Sequence, residues 1–292
     1  MRIRIIDAFT DEPFAGNPAA VCLLPPGPWP DERWMRCLAA ELNLSETAFA
    51  RPLAGAERQG SAAGWALRWF TPAVEVALCG HATLATVHAL AQDGLLPSSG
   101  RVAFASLRSG VLRAELAADG AITLDFPANP TAPGTAPEGL VEALGGASWV
   151  GVHSTGALGD LLVELATETE VRELRPHHTR LETLEVPRGV IVTAPAEDPE
   201  ASGYAAVSRW FGVSVDVGED PVTGSAHTAL GPFWAERLGR TEFAARQVSS
   251  RGGTVRLCVD GDRVRMTGRA VTVLDGVLSP AATANAAAGA VV

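Results

Sequence analysis

A chain of 292 residues with 47% hydrophobic content and a sequence pI near 5.1 is long enough for two domains of ordinary size, each with its own core. A formal net charge of −10 without any basic block argues against nucleic acid and anionic membranes as partners. All 23 basic residues are Arg, so a Schiff-base lysine, a lysine nucleophile and a Walker-type phosphate lysine are excluded together.

Met1 to Asp7 alternates as a strand does and lacks the apolar core of a secretion signal, so a cytoplasmic protein is expected. The pattern predicts strands over 2–8 and 19–24, separated by a turn-rich loop through Gly16-Asn17-Pro18. Asp31 then caps a helix with apolar positions Trp34, Leu38 and Leu42, which Asn43 ends. Glu46 follows at a helix-to-strand junction, where it is either a solvated loop acid or a carboxylate aimed into a pocket. Strands are predicted over 65–70, 102–105, 112–116 and 122–126.

Residues 127–137, rich in Pro and Gly, read as the linker between an N-terminal domain, 1–126, and a C-terminal domain, 127–292. Beyond it come a short helix over 137–144, strands over 147–153, 160–165 and 186–194, and an alternation from Tyr204 to Phe211 that runs on to 213–216. Strands over 255–259, 263–267 and 270–274 close the pattern, with Asp260-Gly261-Asp262 as a hairpin turn. The last strand, near 270–279, is able to cross back to the first domain, and the Ala-rich tail from about 280 is expected to be disordered. Cys22, Cys37, Cys79 and Cys258 are scattered, which predicts reduced thiols and no structural zinc site.

The stretch Val76 to Gln92 carries no Asp, Glu, Lys or Arg, and a helix uncharged on every side belongs inside a protein. It is also too short and too polar, with two His and two Thr, to be a membrane span. Shifting the sequence by 144 positions lays it over a second uncharged stretch, Pro221 to Ala235, matching Glu75 with Glu219, Gly80 with Gly224, Ala82 with Ala226 and Ala85 with Ala229. The expected fold is therefore α+β, with two pseudo-repeated domains, each a curled, mostly antiparallel sheet or barrel around a central buried helix. Each helix start, with its free N–H groups, is the expected working end, and two such ends across a domain interface would make a cleft. Gly80-His81 and Gly224-Ser225 sit where an anion such as a substrate carboxylate is favoured, and Asp220 can reach the second from its loop. Taken singly, His81 could equally be a satisfied interior histidine and Asp220 an ordinary helix cap.

Four ordered motifs carry a resemblance: Asp7-Ala8-Phe9-Thr10 with Gly16-Asn17-Pro18-Ala19-Ala20-Val21; Asn43-Leu44-Ser45-Glu46-Thr47-Ala48-Phe49; Cys79-Gly80-His81-Ala82-Thr83; and Gly218 to His227. Together they resemble the PhzF-like phenazine-biosynthesis isomerase family, and Gln247 to Gly253 looks like its last motif in a variant form. The resemblance implies the diaminopimelate epimerase fold and a cofactor-free isomerase that moves a proton between carbons of a cyclic amino acid, trans-2,3-dihydro-3-hydroxyanthranilate in phenazine producers. By motif, Glu46 would be the general acid/base, with His81, Asp220 and Ser225 around the substrate. Asn17, Gly80, Gly224, Arg251 and Gly252 complete the expected substrate-binding set, with no metal and no cofactor. The family habit implies a homodimer acting on a small-molecule carboxylate. A carboxylate that both removes and returns a carbon-bound proton works best when burial lifts its pKa towards neutrality.

Three other chemistries compete. Epimerisation by two thiols would use Cys79, but the repeat puts Thr223 at the second position, and a hydroxyl is too weak a base. A serine hydrolase on Ser225, His227 and Asp220 lacks a Gly-x-Ser-x-Gly elbow. Metal binding finds only His177-His178 in a polar loop, and His81 and His88 two turns apart. A catalytically silent small-molecule binder is the remaining alternative, and in every case substrate specificity falls to residues such as Asn17, His153 to Gly156 and Arg251 to Gly253.

Overall fold

A computed structural model describes residues 1–59, 61–213, 218–284 and 286. The chain divides into two units, Met1–Asp125 with Gly268–Val292, and Phe126–Thr267. The first opens with β1 (Arg2–Ala8), β2 (Asn17–Leu23), α1 (Glu32–Leu42), β3 (Glu46–Pro52), α2 (Gly55–Gln59), β4 (Trp65–Phe70), β5 (Glu75–Val76), α3 (Gly80–Gln92), β6 (Arg101–Ser106), β7 (Gly110–Leu116) and β8 (Ile122–Pro127). The second holds β9 (Thr131–Pro133), α4 (Leu140–Ala143), β10 (Gly151–Thr155), β11 (Asp160–Glu164), α5 (Glu168–Glu173), α6 (His178–Leu181), β12 (Gly189–Pro195), α7 (Pro199–Ser202), β13 (Ala206–Gly212), β14 (Glu219–Asp220), α8 (Gly224–Leu238), β15 (Glu242–Gln247), β16 (Gly253–Asp260) and β17 (Arg263–Gly268). β18 (Ala270–Val277) and α9 (Pro280–Ala284) complete the first unit.

Both units are built to one α+β plan. In the first, the strand order is β18-β1-β2-β3-β4-β6-β7-β8, antiparallel except at β2–β3 and β4–β6. In the second it is β9-β10-β11-β12-β13-β15-β16-β17, with the parallel steps at β11–β12 and β13–β15, the same two places. The sheets curl: α3 is touched by β18, β1, β2, β3 and β7, strands from both ends of its sheet, and α8 by β9 and β16. Such wrapping leaves only the last turns of the helices to water, at Gln92 and at Glu236-Arg237; Gly80 through Val87, Ala89 and Leu90 are all buried, as are Ala226 through Gly231, Phe233 and Trp234. Leu84, Val87 and Leu90 each contribute about 1.5–3 kcal/mol by that burial. Small residues let the strands approach closely; a Cβ on Gly231 would lie 3.2 Å from Val264.

Amphipathic helices cover the outer faces. Asp31 accepts hydrogen bonds from the Arg33 and Trp34 N–H groups to start α1, and Asn43, at φ 49°, ends it in the left-handed region. Met35, Leu38 and Ala39 pack there with Ile3, Cys22, Phe49 and Phe70. In the second unit Leu140, Val171 and Leu181 do the same against Val163, Val192 and Phe211.

A matched ion pair marks the duplication. Arg68-Trp69-Phe70 ends β4 and Arg209-Trp210-Phe211 lies in β13. Arg68 grips Glu75 through two hydrogen bonds of 2.7 Å, and Arg209 grips Glu219 at 2.6 and 2.9 Å. Each guanidinium also stacks on the Phe two residues on, at 5.1 and 4.9 Å. Arg209 additionally donates to the Val171 and Leu174 carbonyls at the end of α5.

Several expectations need correction. The expected linker contains β9, paired with β10, and is pinned to α8: Pro232 has no N–H for the Thr228 carbonyl, and the Asn129 N–H takes it at 3.0 Å. The tail is not featureless at 280–284, where Ser279 caps the short α9 by accepting from the Ala282 N–H, and Trp34 donates to the Ala282 carbonyl. Residues 285 and 287–292 lie outside the described residues, as do 214–217 of the expected alternation. The uncharged stretch starts as strand, with Glu75–Val76 in β5, and its helix begins only at Gly80. His177 and His178, expected in a loop, start α6. Among the described residues no helix is long and apolar enough to cross a membrane.

Candidate active site

In the first unit the sequence gathers three polar side chains at one end of the sheet. β2 and β3 run parallel, with Ala19 opposite Glu46, so both begin where α3 begins. Gly16, at φ 64°, turns the chain into β2; a Cβ there would meet the Ala8 carbonyl oxygen at 2.2 Å. The buried Asp7 steadies that loop by accepting the Phe14 N–H at 2.7 Å. Asn17, fully buried at the head of β2, then donates from Nδ2 to His81 Nδ1 at 3.1 Å. His81 Nε2 lies 3.2 Å from Glu46 Oε2, on a side chain 18% exposed. An amide nitrogen only donates, so Nδ1 accepts and the neutral ring carries its proton on Nε2, towards the carboxylate. The arrangement can hold a carboxylate that takes up or gives up a proton with a histidine donor beside it.

Cys79 precedes α3 without capping it by its side chain, and its Sγ is 3.5 Å from His81 Nδ1. Glu46, Cys79 and His81 form a group whose ligand atoms lie within 4.8 Å of one another, close enough to hold a metal ion. The thiol contacts Nδ1 and the carboxylate Nε2, so in this arrangement each addresses a different ring nitrogen.

In the second unit, Asp220 ends β14 and is buried. Thr223 Oγ1 donates to its Oδ2 at 2.5 Å. Gln247, wholly buried at the end of β15, ties the turn together: its Nε2 donates to the Asp220 carbonyl and to Thr223 Oγ1, and its Oε1 accepts the Thr223 N–H at 2.8 Å. Ser249 Oγ bridges the Pro221 carbonyl and the Gly252 N–H, and Gly252 takes φ 67°; the neighbouring Arg251 is half-buried. Ser225 Oγ accepts a hydrogen bond from Arg188, whose other terminal nitrogen donates to the fully buried Asp160 at 2.7 Å. Burial pushes the Asp160 carboxyl up to about 6, against the pull of Arg188 and the Trp210 N–H. Burial lowers His227 to about 4, and its Nδ1 is held on the Thr223 carbonyl at 2.8 Å. With His227 on backbone and Ser225 on Arg188, the hydrolase constellation is not formed.

Glu46, His81 and Asn17 thus come together in one unit, and Gly224, Ser225 and Asp220 lie at the start of α8 in the other. His153 instead packs edge-on against Phe233, and a Cβ on Gly156 would meet Asn129 Oδ1 at 2.7 Å. Gln247 entered the sequence reading only as the start of the last motif, without a role, and Arg188 and Asp160 escaped it as site residues; for them the one available signal was Pro187-Arg188 immediately before a buried strand.

Across residues 6–276 the chain matches the family model of phenazine biosynthesis-like proteins, PhzC-PhzF. It is 43% identical to an uncharacterized isomerase of Halalkalibacterium halodurans over 93% of this chain and 96% of that protein. It is 44% identical to one of Pseudomonas aeruginosa over 94% and 96%. Among solved structures, a phenazine biosynthesis protein of the PhzF family from Enterococcus faecalis superposes with a TM-score of 0.83 at 36% identity, covering 94% of this chain and 97% of that one. A hydroxyproline epimerase from Agrobacterium vitis shares the fold at a TM-score of 0.56 and 14% identity, covering 99% and 97%.

Proposed function

This chain belongs to the phenazine biosynthesis-like PhzF family, whose curated relatives include proteins named isomerases, and we propose that it is itself a cofactor-independent isomerase of a small cyclic carboxylic acid. Glu46 removes a proton from one carbon and returns it to another of the same molecule, so the reaction is redox-neutral and needs no second substrate. The observation that carries this reading is the 3.2 Å pair of Glu46 Oε2 and His81 Nε2. A single carboxylate serves both steps because taking up the first proton makes it the acid that delivers the second, and its partial exposure lets that proton exchange with solvent in between. The Nε2 edge of His81 lies beside that carboxylate and keeps it in place between turnovers. The Gly80 N–H, at the start of α3 in the same unit, favours the substrate's carboxylate, and Asp220 and the Gly224 N–H are the corresponding polar groups at the start of α8 in the second unit. The Asn17 loop limits what enters beside Glu46. The protein works in the cytoplasm as a homodimer.

Two-thiol epimerisation finds less support. Thr223 stands at the position matching Cys79, and its hydroxyl is committed to Asp220. The reading is tested by incubating the protein in D2O with small cyclic amino and hydroxy acids, the dihydro-3-hydroxyanthranilate type included. Deuterium entering a carbon-bound position supports it; binding of such an acid without any exchange would make the protein a silent binder.

A further inference from the structure

The two copies of the fold do not carry the same chemistry at matching places. Thr47 faces Phe70 across β3 and β4, and Val190 faces Phe211 across β12 and β13, so Gly189 occupies in the second unit the register position of Glu46 in the first. A side chain is barred there: a Cβ on Gly189 would lie 2.5 Å from the Trp210 indole. The residue just before it, Arg188, fills the gap. Its guanidinium stacks 5.2 Å from the Trp210 ring, is fixed by the buried Asp160, and reaches Ser225, the α8 residue that matches His81 in α3. Where the first copy has a carboxylate on a histidine, the second has a cation on a serine.

We infer that Arg188 is a recognition residue for a small-molecule carboxylate at the start of α8, acting through Ser225 and through its own charge. Ser225 Oγ accepts from Arg188, so its hydroxyl proton is left to donate to an anion. Asp160 accepts from Arg188 on Oδ2 and from Trp210 Nε1 on Oδ1, and its side chain is fully buried; it aims the guanidinium and offers nothing to solvent. Arg188 keeps 29% of its side chain exposed. A planar fork already held on one side is preorganised to receive a carboxylate on the other.

This inference rests on the proposed function only for the ligand's being a carboxylate. The test uses anthranilate and its neutral counterpart anthranilamide as probes, titrated into the full chain and followed by NMR. Wild type is expected to prefer the acid by at least about tenfold, roughly 1.4 kcal/mol. Arg188→Met removes that preference while leaving amide affinity within about twofold, and Arg188→Lys restores part of it. Should Arg188→Met fail to fold with Asp160 left unpaired, the charge-free pair Asp160→Asn with Arg188→Met takes its place. No preference in wild type, or an unchanged preference without the guanidinium, overturns the inference. A fully active Glu46→Gln beside a preference lost in Arg188→Met would sink the isomerase reading and leave the anion site standing.

Discussion

Asn17 Nδ2 and His81 Nδ1 are 3.1 Å apart at the head of β2 and the start of α3, and that contact decides which nitrogen of His81 faces Glu46 with a proton. Asn17→Asp should reverse the polarity, because a carboxylate accepts from Nδ1 and leaves Nε2 without a proton in the neutral ring. Nitrogen-15 shifts of His81 report the tautomer directly. Wild type should show a protonated Nε2, Asn17→Asp a protonated Nδ1 or the imidazolium, and turnover should fall by about 10²-fold. An unchanged tautomer in Asn17→Asp contradicts the assignment.

Two buried groups of the second unit oppose one another in pH dependence. Burial holds the Asp160 carboxyl at about 6, so between about pH 4 and 6 the native state keeps a proton that the unfolded chain has released, and stability falls as pH rises. Burial holds His227 at about 4, so below its unfolded value the unfolded chain gains a proton that the native ring refuses; here stability rises with pH, up to about 6.5. Each slope is on the order of 1.4 kcal/mol per pH unit, and in wild type they offset one another between pH 4 and 6. Relative to wild type in urea unfolding, Asp160→Asn should gain stability with rising pH across that window, and His227→Asn should lose it. Parallel pH profiles for all three proteins would rule this out.

The matched ion pairs should be matched in consequence. Arg68 and Arg209 have side chains 8% and 11% exposed, and removing either strands a largely buried glutamate. Arg68→Leu and Arg209→Leu should each destabilise by about 3 kcal/mol in urea unfolding. Arg209→Leu should cost more, because it also releases the Val171 and Leu174 carbonyls. Losses below about 1 kcal/mol for both would show these pairs to be no better than surface salt bridges.

Much of this architecture was legible before any coordinates. Two stretches without charge could only be interior helices, and Gly80 aligned with Gly224 fixes where each begins. The same repeat is plainer in Arg68-Trp69-Phe70 and Arg209-Trp210-Phe211, but a rigid shift of 144 misses it, because the second copy has a longer connection to its Glu219 than Phe70 has to Glu75. Asn17, Glu46 and His81 stood out by motif, and the first unit brings all three into contact. Arg188 and Asp160 did not, since an Arg beside a Pro-Gly turn reads as surface and nothing local announces that Trp210 will occupy the Cβ position of Gly189. Asn129 was hidden in the same way: its task depends on a proline more than a hundred residues away. The Ser279-Pro280 helix start was readable, and the Ala-rich composition after it obscured the signal.

The central claim is that one carboxylate, Glu46, moves the proton. It is tested most directly by substituting Glu46→Gln, which keeps size and hydrogen-bonding shape but removes the base, and following carbon-bound deuterium uptake from D2O into a cyclic acid that the wild type exchanges. Exchange should fall by about 10²–10⁴-fold while affinity for that acid stays within about twofold. Exchange at the wild-type rate in Glu46→Gln would contradict the account.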